Sequence, residues 1–278
     1  MAAAQQQSLF ARPHGATVPV VRAADALRPL RAEGNVLVSR TMMLAELGML
    51  LGELPGDATA ADYERAVKAD NILRKTSAMN RAKTSQLLRN LYGLDPARPM
   101  FRALRRLWNA SPEGRPVLAL LQAYAREPYL RSTWPVVRDL PIGARINSEL
   151  LENAIRTAAA GKLGVASLRA TARNVGATWT DAGYLVGVYT KTRVIPKVSP
   201  AVVAFALFLG FLDGRRGHWL FATPWTDLLQ TDADAVAALA TAASQQGLLH
   251  MLKAGDVIEV RFPGWLTPDE EEQVREQA

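Results

Sequence analysis

The chain has 278 residues, a formal net charge of +7, 49% hydrophobic residues and no cysteine. This length predicts one large domain or two modest ones, and the hydrophobic fraction is ample for a packed core. The lack of cysteine excludes disulfides, zinc fingers and thiol catalysis, and it is compatible with a reducing cytoplasm. The net positive charge favours an anionic partner but does not identify it.

Residues 1–34 carry scattered proline, glutamine and arginine with little periodicity, so we expect a loose arm or an arm that folds onto a partner. The first fifteen residues lack the early cations and the apolar stretch of a signal peptide. A strongly apolar helix is predicted over Met42–Leu54, with Ser39 as its cap and Pro55-Gly56 as its end. Its methionines and leucines are expected in the core.

The stretch from residue 61 to residue 92 predicts two helices around a short polar break. One covers Ala61–Arg74, Thr76-Ser77 supplies capping hydroxyls, and the second covers Asn80–Tyr92. Residues 65–106 carry eleven cations and two acids. A helix-turn-helix and an ordinary helical hairpin with a basic solvent face explain this pattern equally well. On the first reading, the candidate DNA contacts are Arg74, Lys75, Arg81 and Lys83.

Further helices are predicted over residues 101–108, 116–126, 129–137 and 147–160, punctuated by prolines at 112, 128 and 135. This half of the chain shows no convincing strand pattern. We therefore expect residues 35–140 to form a helical domain that contains the candidate helix-turn-helix.

The stretch that follows has the outline of a winged helix-turn-helix. A short helix is predicted over Ala166–Val175, Gly176 breaks it, and Thr178 caps a second short helix that contains Trp179. Strand-forming residues follow from 184 to 189, a basic hairpin tip lies at 191–193, and residues 194–195 form the return strand. Modules of this kind most often bind DNA.

The charges of this stretch support that outline. Residues 153–198 carry seven cations against one acid, Asp181. DNA affinity comes mostly from neutralised phosphates, and five phosphate contacts would give log affinity a slope of about −4 to −5 against log salt. The alternative is a solvated helix face beside a wing that packs against protein. The candidate DNA contacts are Arg169, Arg173, Lys191, Arg193 and Lys197.

Residues 198–212 form a run of 15 residues without charge. A bilayer requires about 20 helical residues, so this run predicts a buried core helix that begins at Ser199-Pro200, and no membrane segment. We expect residues 141–230 to form a winged-helix-like domain that includes it. A helix over 232–246, a hairpin over 248–262 and an acidic tail from Thr267 follow, and they form a second wing-like unit or an α+β closing element. The C-terminal region is therefore assigned to 231–278.

The sequence lacks an assembled catalytic or metal-binding pattern. The three histidines, His14, His218 and His250, lie far apart, and the chain contains no HExxH, GxSxG or GxxxxGK[ST] motif. We therefore expect a mainly α protein that is not an enzyme, that uses no cofactor or metal, and that is soluble and cytoplasmic.

Four motifs carry a resemblance to a known family. They are DNILRKTS at 70–77, LLRNLY at 87–92, LRATARNVGATWTDAGYL at 168–185 and SPAVVAFALFLGFLDGRRG at 199–217. With these motifs, residues 37–230 resemble the BrxA family of BREX phage-defence systems. The chain departs from that family in its long N-terminal arm and its additional C-terminal helix and hairpin.

The resemblance implies a mostly helical, non-enzymatic component that binds double-stranded DNA. It would act beside a methyltransferase, an ATPase and a phosphatase-like protein in restricting phage. Two other readings stay open: an assembly scaffold whose wings hold a partner protein, and a transcription regulator. Phosphate contacts lead us to expect modest sequence preference, and the oligomeric state and the DNA site are not predicted.

Overall fold

The computed structural model describes residues 35–255 and 257–275, which belong to two units. The chain passes from the first unit to the second between Lys197 and Val198. The described residues are mainly helical, with two separate two-stranded antiparallel sheets, and this confirms the predicted mainly α class. The predicted N-terminal arm, residues 1–34, lies outside the described residues.

Several helices of the first unit begin at a residue whose side chain caps them. Ser77 accepts a hydrogen bond from the Asn80 backbone N–H, and the Asn147 side chain accepts one from the Glu149 N–H. The helices between residues 78 and 159 lie within two residues of their predicted bounds. In chain order, the helices are α1 (Leu44–Glu53), α2 (Ala60–Lys68), α3 (Ala78–Tyr92), α4 (Pro99–Trp108), α5 (Arg115–Arg126), α6 (Pro128–Arg138), α7 (Ser148–Ala159) and α8 (Val165–Asp181).

The first two helices differ from their predicted bounds. Helix α1 is preceded by Met43 in the left-handed conformation, with φ of 51°, rather than capped by Ser39. Helix α2 ends at Lys68 instead of Arg74. The reason is a local turn in which the Asn71 side chain accepts from the Lys75 N–H at 2.8 Å and donates to the Lys75 carbonyl at 3.1 Å. Asparagine favours such turns because its side chain forms hydrogen bonds with the nearby backbone that compete with those of a helix.

The predicted helix break at Gly176 is wrong, because α8 continues without interruption from Val165 to Asp181. A Cβ atom at Gly176 would lie 3.5 Å from Leu151 Cδ1 and 3.5 Å from Lys191 Cε. This glycine therefore permits close packing by α7 and Lys191 instead of ending the helix. The turn in this region lies earlier, at residues 160–164 between α7 and α8, where Ala160 and Gly161 have φ of 46° and 82°.

A small hairpin follows α8. It pairs β1 (Leu185–Val186) with β2 (Thr192–Arg193), so the return strand lies two residues before the predicted one. The extended segment 143–146, just before α7, pairs with the other side of β2. Here the Ile146 N–H donates to the Lys191 carbonyl, and the Arg193 N–H donates to the Ala144 carbonyl, both at 2.9 Å. The order along the chain is therefore helix, extended segment, two helices and hairpin.

An aromatic cluster holds this group of elements together. The Trp134 and Trp179 rings stack with centroids 5.5 Å apart, and Tyr184 lies edge-on to Trp134 at 5.7 Å. The Trp179 indole N–H donates to Thr133 Oγ1 at 3.1 Å. Because these residues come from α6, α8 and the position just before β1, the cluster fixes the hairpin against the helices.

The helical part and the hairpin part belong to one unit, although a boundary is predicted near residue 140. Residues 35–43 connect them: the Met42 N–H donates to Thr178 Oγ1 at 3.0 Å, and the Asn174 side chain donates to the Leu37 carbonyl at 2.9 Å. The Val36 N–H in turn donates to Glu127 Oε1 at 2.7 Å. This segment therefore contacts both α8 and the start of α6.

The second unit is arranged around a helix that is apolar on all sides. Helix α9 (Pro200–Leu212) is buried almost completely and is capped by Ser199, which confirms the predicted core helix. It packs against α10 (Pro224–Asp227), α11 (Ala233–Gln245) and the 3₁₀ turn Gly217–Phe221. These partners explain why α9 groups with the C-terminal residues, although 141–230 is predicted as one domain. No helix within residues 35–255 and 257–275 is both long and apolar enough to cross a bilayer.

The C-terminal hairpin matches its prediction closely. Strand β3 (His250–Ala254) pairs antiparallel with β4 (Val257–Arg261). Beyond it, the Phe208 ring of α9 contacts Trp265 at a centroid distance of 4.8 Å and Phe262 at 5.2 Å. The acidic tail begins with α12 (Pro268–Arg275), whose first turn carries acids that suit the positive end of a helix dipole.

Candidate nucleic-acid interface

Helix α8 presents a basic stripe on its exposed side. Arg169 and Arg173 lie one turn apart and are both exposed, as the prediction requires. The opposite side of the helix is buried through Leu168, Val175 and Trp179. The buried side anchors the helix and leaves both guanidinium groups directed away from the core.

A groove of about 680 Å³ runs beside this stripe. Small residues of α8, Ala172, Gly176 and Ala177, form its floor, and the first half of α7 forms one wall. The other wall is the tip of the β1–β2 hairpin, residues 187–191. The groove thus brings Arg169 and Arg173 together with Lys191, which the sequence placed 18 positions after Arg173. Two acids, Glu152 and Asp181, also line it, so the cations are in the majority.

Lys191 is half-buried at the edge of this groove. Its ammonium donates to Thr180 Oγ1 at 2.9 Å and to the Gly187 carbonyl at 3.3 Å. Burial lowers the pKa of Lys191, and the nearby Asp181 carboxylate opposes that shift. An ammonium has three N–H donors, so a third remains for a ligand after these two bonds. Lys191 therefore braces the hairpin tip and contributes positive charge to the groove.

The prediction that Arg193 contacts DNA is wrong. Its side chain is 0% exposed, and its guanidinium donates to the carbonyls of Val137 at 2.9 Å, Tyr184 at 3.1 Å and Val194. The guanidinium carbon also lies 5.5 Å from the centroid of the Tyr184 ring. Arg193 follows the tip instead of forming it, and β2 directs it into the core. It is a structural residue that joins α6 to the hairpin.

The remaining predicted contacts lie elsewhere in the first unit. Lys197 is exposed but does not line the groove, and its charge helps to lower the pKa of Glu113 after the larger effect of hydrogen bonding from Ser111. In the second predicted patch, Lys75 forms an ion pair with Glu46 at 2.9 Å. The Arg81 Nε–H donates to the Lys68 carbonyl at 2.9 Å and so satisfies the end of α2.

The other two members of that patch, Arg74 and Lys83, are exposed. Arg74 has a φ of 51° in the turn between α2 and α3. Helices α2 and α3 therefore form a helical hairpin, and only some of its cations, Arg74 and Lys83, lie on its solvent face. Its role as a second DNA-binding motif stays a prediction.

Sequence reasoning missed the residues that project furthest at the hairpin tip. Tyr189 is fully exposed, and Val188 is 79% exposed. The signal that could have found them is Gly187, which interrupts a run of strand-forming residues. Gly187 has a φ of +107°, and a Cβ there would lie 2.1 Å from the Thr190 carbonyl oxygen, so only glycine fits this turn. The tip therefore begins at Gly187 and presents Val188 and Tyr189.

Within the part of the chain that the structure describes, no three histidine, cysteine, aspartate or glutamate side chains lie close enough together to hold a metal ion. The expectation of a protein that is not an enzyme stays a prediction. No model of a known protein family matches the chain, and no match to it was found among curated proteins. The resemblance to the BrxA family therefore stays a prediction that rests on the four motifs.

Proposed function

We propose that the first unit binds duplex DNA through the exposed side of α8 and the β1–β2 hairpin, mainly by contacting phosphates. The observation that carries this proposal is the groove in which Arg169, Arg173 and Lys191 converge beside a protruding hairpin tip. Positively charged grooves concentrate anions and strengthen phosphate binding without reading sequence. We expect modest sequence preference.

The order of elements supports a winged-helix interpretation of this region. Helices α7 and α8, joined by the turn at 160–164, form the helix-turn-helix, and α8 is its second helix. In such motifs the second helix lies in the major groove, and its exposed residues face the nucleic acid. The extended segment 143–146, β1 and β2 then form the small sheet, and residues 187–191 form the wing.

The test is a mobility-shift titration of the full chain on an unrelated duplex over a series of salt concentrations. Three groove cations predict that log affinity falls with a slope of about −2.7 against log salt. Replacing both Arg169 and Arg173 with alanine should weaken binding and reduce the slope by about two units. Arg156→Ala is the matched control, because Arg156 is exposed on α7 but does not line the groove. No binding at low salt, or a flat salt response, contradicts the proposal.

A second candidate function is an assembly scaffold that holds a partner protein. The observation that favours it is a set of exposed apolar side chains around the same hairpin, Ile142, Val186 and Ile195. A scaffold would not be retained on random duplex DNA at low salt, so the same titration separates the two candidates. A transcription regulator would instead protect a defined sequence in a footprint.

The place in phage defence is a further part of the proposal. It rests on the BrxA resemblance alone, and so do the defence proteins as partners. The assay for it is the loss of phage restriction in cells that carry the complete system with the Arg169 and Arg173 double variant. Equal restriction by the variant and the wild type would contradict a role for this groove in defence.

A further inference from the structure

The hairpin tip exposes two large side chains that contribute little to the packing of the first unit. Val188 is 79% exposed, and the Tyr189 ring is fully exposed. A tyrosine ring that becomes covered removes a large apolar area from water, and its flat faces favour stacking against another ring. Such a residue at a protruding tip is typical of a contact with a ligand.

The backbone beneath these side chains is held in place. Gly187 takes up a conformation that only glycine fits, with the Thr190 carbonyl packed against it. Lys191 ties the tip back to the body of the unit through its bonds to the Gly187 carbonyl and to Thr180 of α8. A braced turn presents Tyr189 at a defined place, so little backbone ordering would oppose a contact made by its ring.

Tyr189 also lies on the same groove as the cations. It lines the groove together with Arg169 and Arg173, so a nucleic acid whose phosphates contact those arginines passes beside the tip. Aromatic side chains stack on any of the four bases, because every base has a π-face. Side chains at a protruding tip also enter the minor groove as wedges between base steps.

We infer that Tyr189 contacts the face of a nucleobase, so that the site recognises base faces in addition to phosphates. The inference rests on the proposed function. Two sources present such a face: an unpaired base, and a base step of an intact duplex that the tip opens. Both supply the same stacking chemistry, and the substrates of the test distinguish them.

The test measures affinity by fluorescence anisotropy, with the full chain, on three probes: a 20-base-pair duplex, the same duplex with one bulged base, and its single strand. Tyr189→Ala should weaken binding by about 5- to 150-fold on at least one probe, which is the effect of losing one stacked base. The salt slope should stay unchanged, because no phosphate contact is lost. Tyr189→Phe should bind like the wild type.

The control is Met79→Ala, which removes a side chain that is 82% exposed at the start of α3 and does not line the groove. It should leave affinity unchanged on every probe. A loss that is largest on the bulged or single-stranded probe identifies an unpaired base as the source. An equal loss on the intact duplex identifies a base step.

Two results overturn the inference, and they differ from a failure of the proposed function. In the first, the wild type binds with its expected salt slope and Tyr189→Ala binds each of the three probes as tightly as the wild type does. The tip then does not touch bases, and a contact with a protein becomes the explanation for its exposed side chains. If the slope falls together with the affinity, Tyr189 acts only by positioning Lys191. If the wild type binds none of the probes, the proposed function and the inference both fail.

Discussion

Replacing Arg193 with alanine tests whether this cation is structural, as its burial indicates. The guanidinium donates to three carbonyls, those of Val137, Tyr184 and Val194, inside the first unit. Three hydrogen bonds from a charged donor, at about 1.5 kcal/mol each, predict a loss of about 4–5 kcal/mol in the free energy of unfolding. The buried carbonyls of Val137 and Tyr184 and the half-buried carbonyl of Val194 are left without this donor, and the hairpin loses its attachment to α6.

The assay is thermal and denaturant unfolding of the variant beside the wild type. For a unit of this size, the expected loss corresponds to a decrease in Tm of about 9–18 °C. Arg193→Lys should recover only part of the stability, because an ammonium lacks the planar fork that spans several acceptors. Arg173→Ala, at an exposed position, should change stability by less than about 0.5 kcal/mol. If Arg193→Ala melts like the wild type and instead loses DNA affinity, the structural role is refuted.

Helix α9, the hairpin tip and the buried Glu127 carboxyl can each be tested by one substitution. Phe205→Ala in α9 should lower the free energy of unfolding by about 3–5 kcal/mol, because it leaves a cavity in the core of the second unit. Urea unfolding that shows no loss of stability would contradict this packing. Gly187→Ala should disrupt the hairpin tip, because its Cβ would collide with the Thr190 carbonyl, and unchanged DNA binding and stability would contradict that reading. Burial raises the pKa of Glu127 to about 7, above its unfolded value, so the fold favours the protonated carboxyl. Wild-type stability relative to Glu127→Gln should therefore fall by roughly 2–3 kcal/mol from pH 5 to pH 8, and a pH-independent difference in the free energy of unfolding would contradict this.

Elements with strong local signals could be predicted from the sequence. Helix α9 has a cap and a proline at its start, Ser199-Pro200, followed by an uninterrupted apolar run. Helix α11 is capped by Asp232, whose carboxylate accepts from the Ala235 N–H at 2.7 Å. In both cases the residues that decide the element lie next to it in the chain, so a local reading suffices.

The errors arose where a distant residue decides the outcome. Gly176 normally weakens a helix, but contacts from α7 and from Lys191 hold it inside α8. The burial of Arg193 depends on the Val137 carbonyl, 56 positions earlier in the chain. A cation near a hairpin tip is usually exposed, and nothing in the adjacent sequence reveals that acceptors converge on it.

These corrections change the expected salt dependence of the proposed DNA binding. Five contacts predicted from the sequence give a slope of about −4 to −5. The structure buries Arg193 and places Lys197 away from the groove, so three cations remain there and the expected slope is about −2.7. A measured slope near −4.5 would mean that further exposed cations reach the DNA, with Arg74, Lys83 and Lys197 as the candidates. A slope near −4.5 corresponds to two further contacts, so alanine at two of these three positions should each lower the slope by about one unit. A slope near −2.7 that none of the three variants changes confines the contact to the groove.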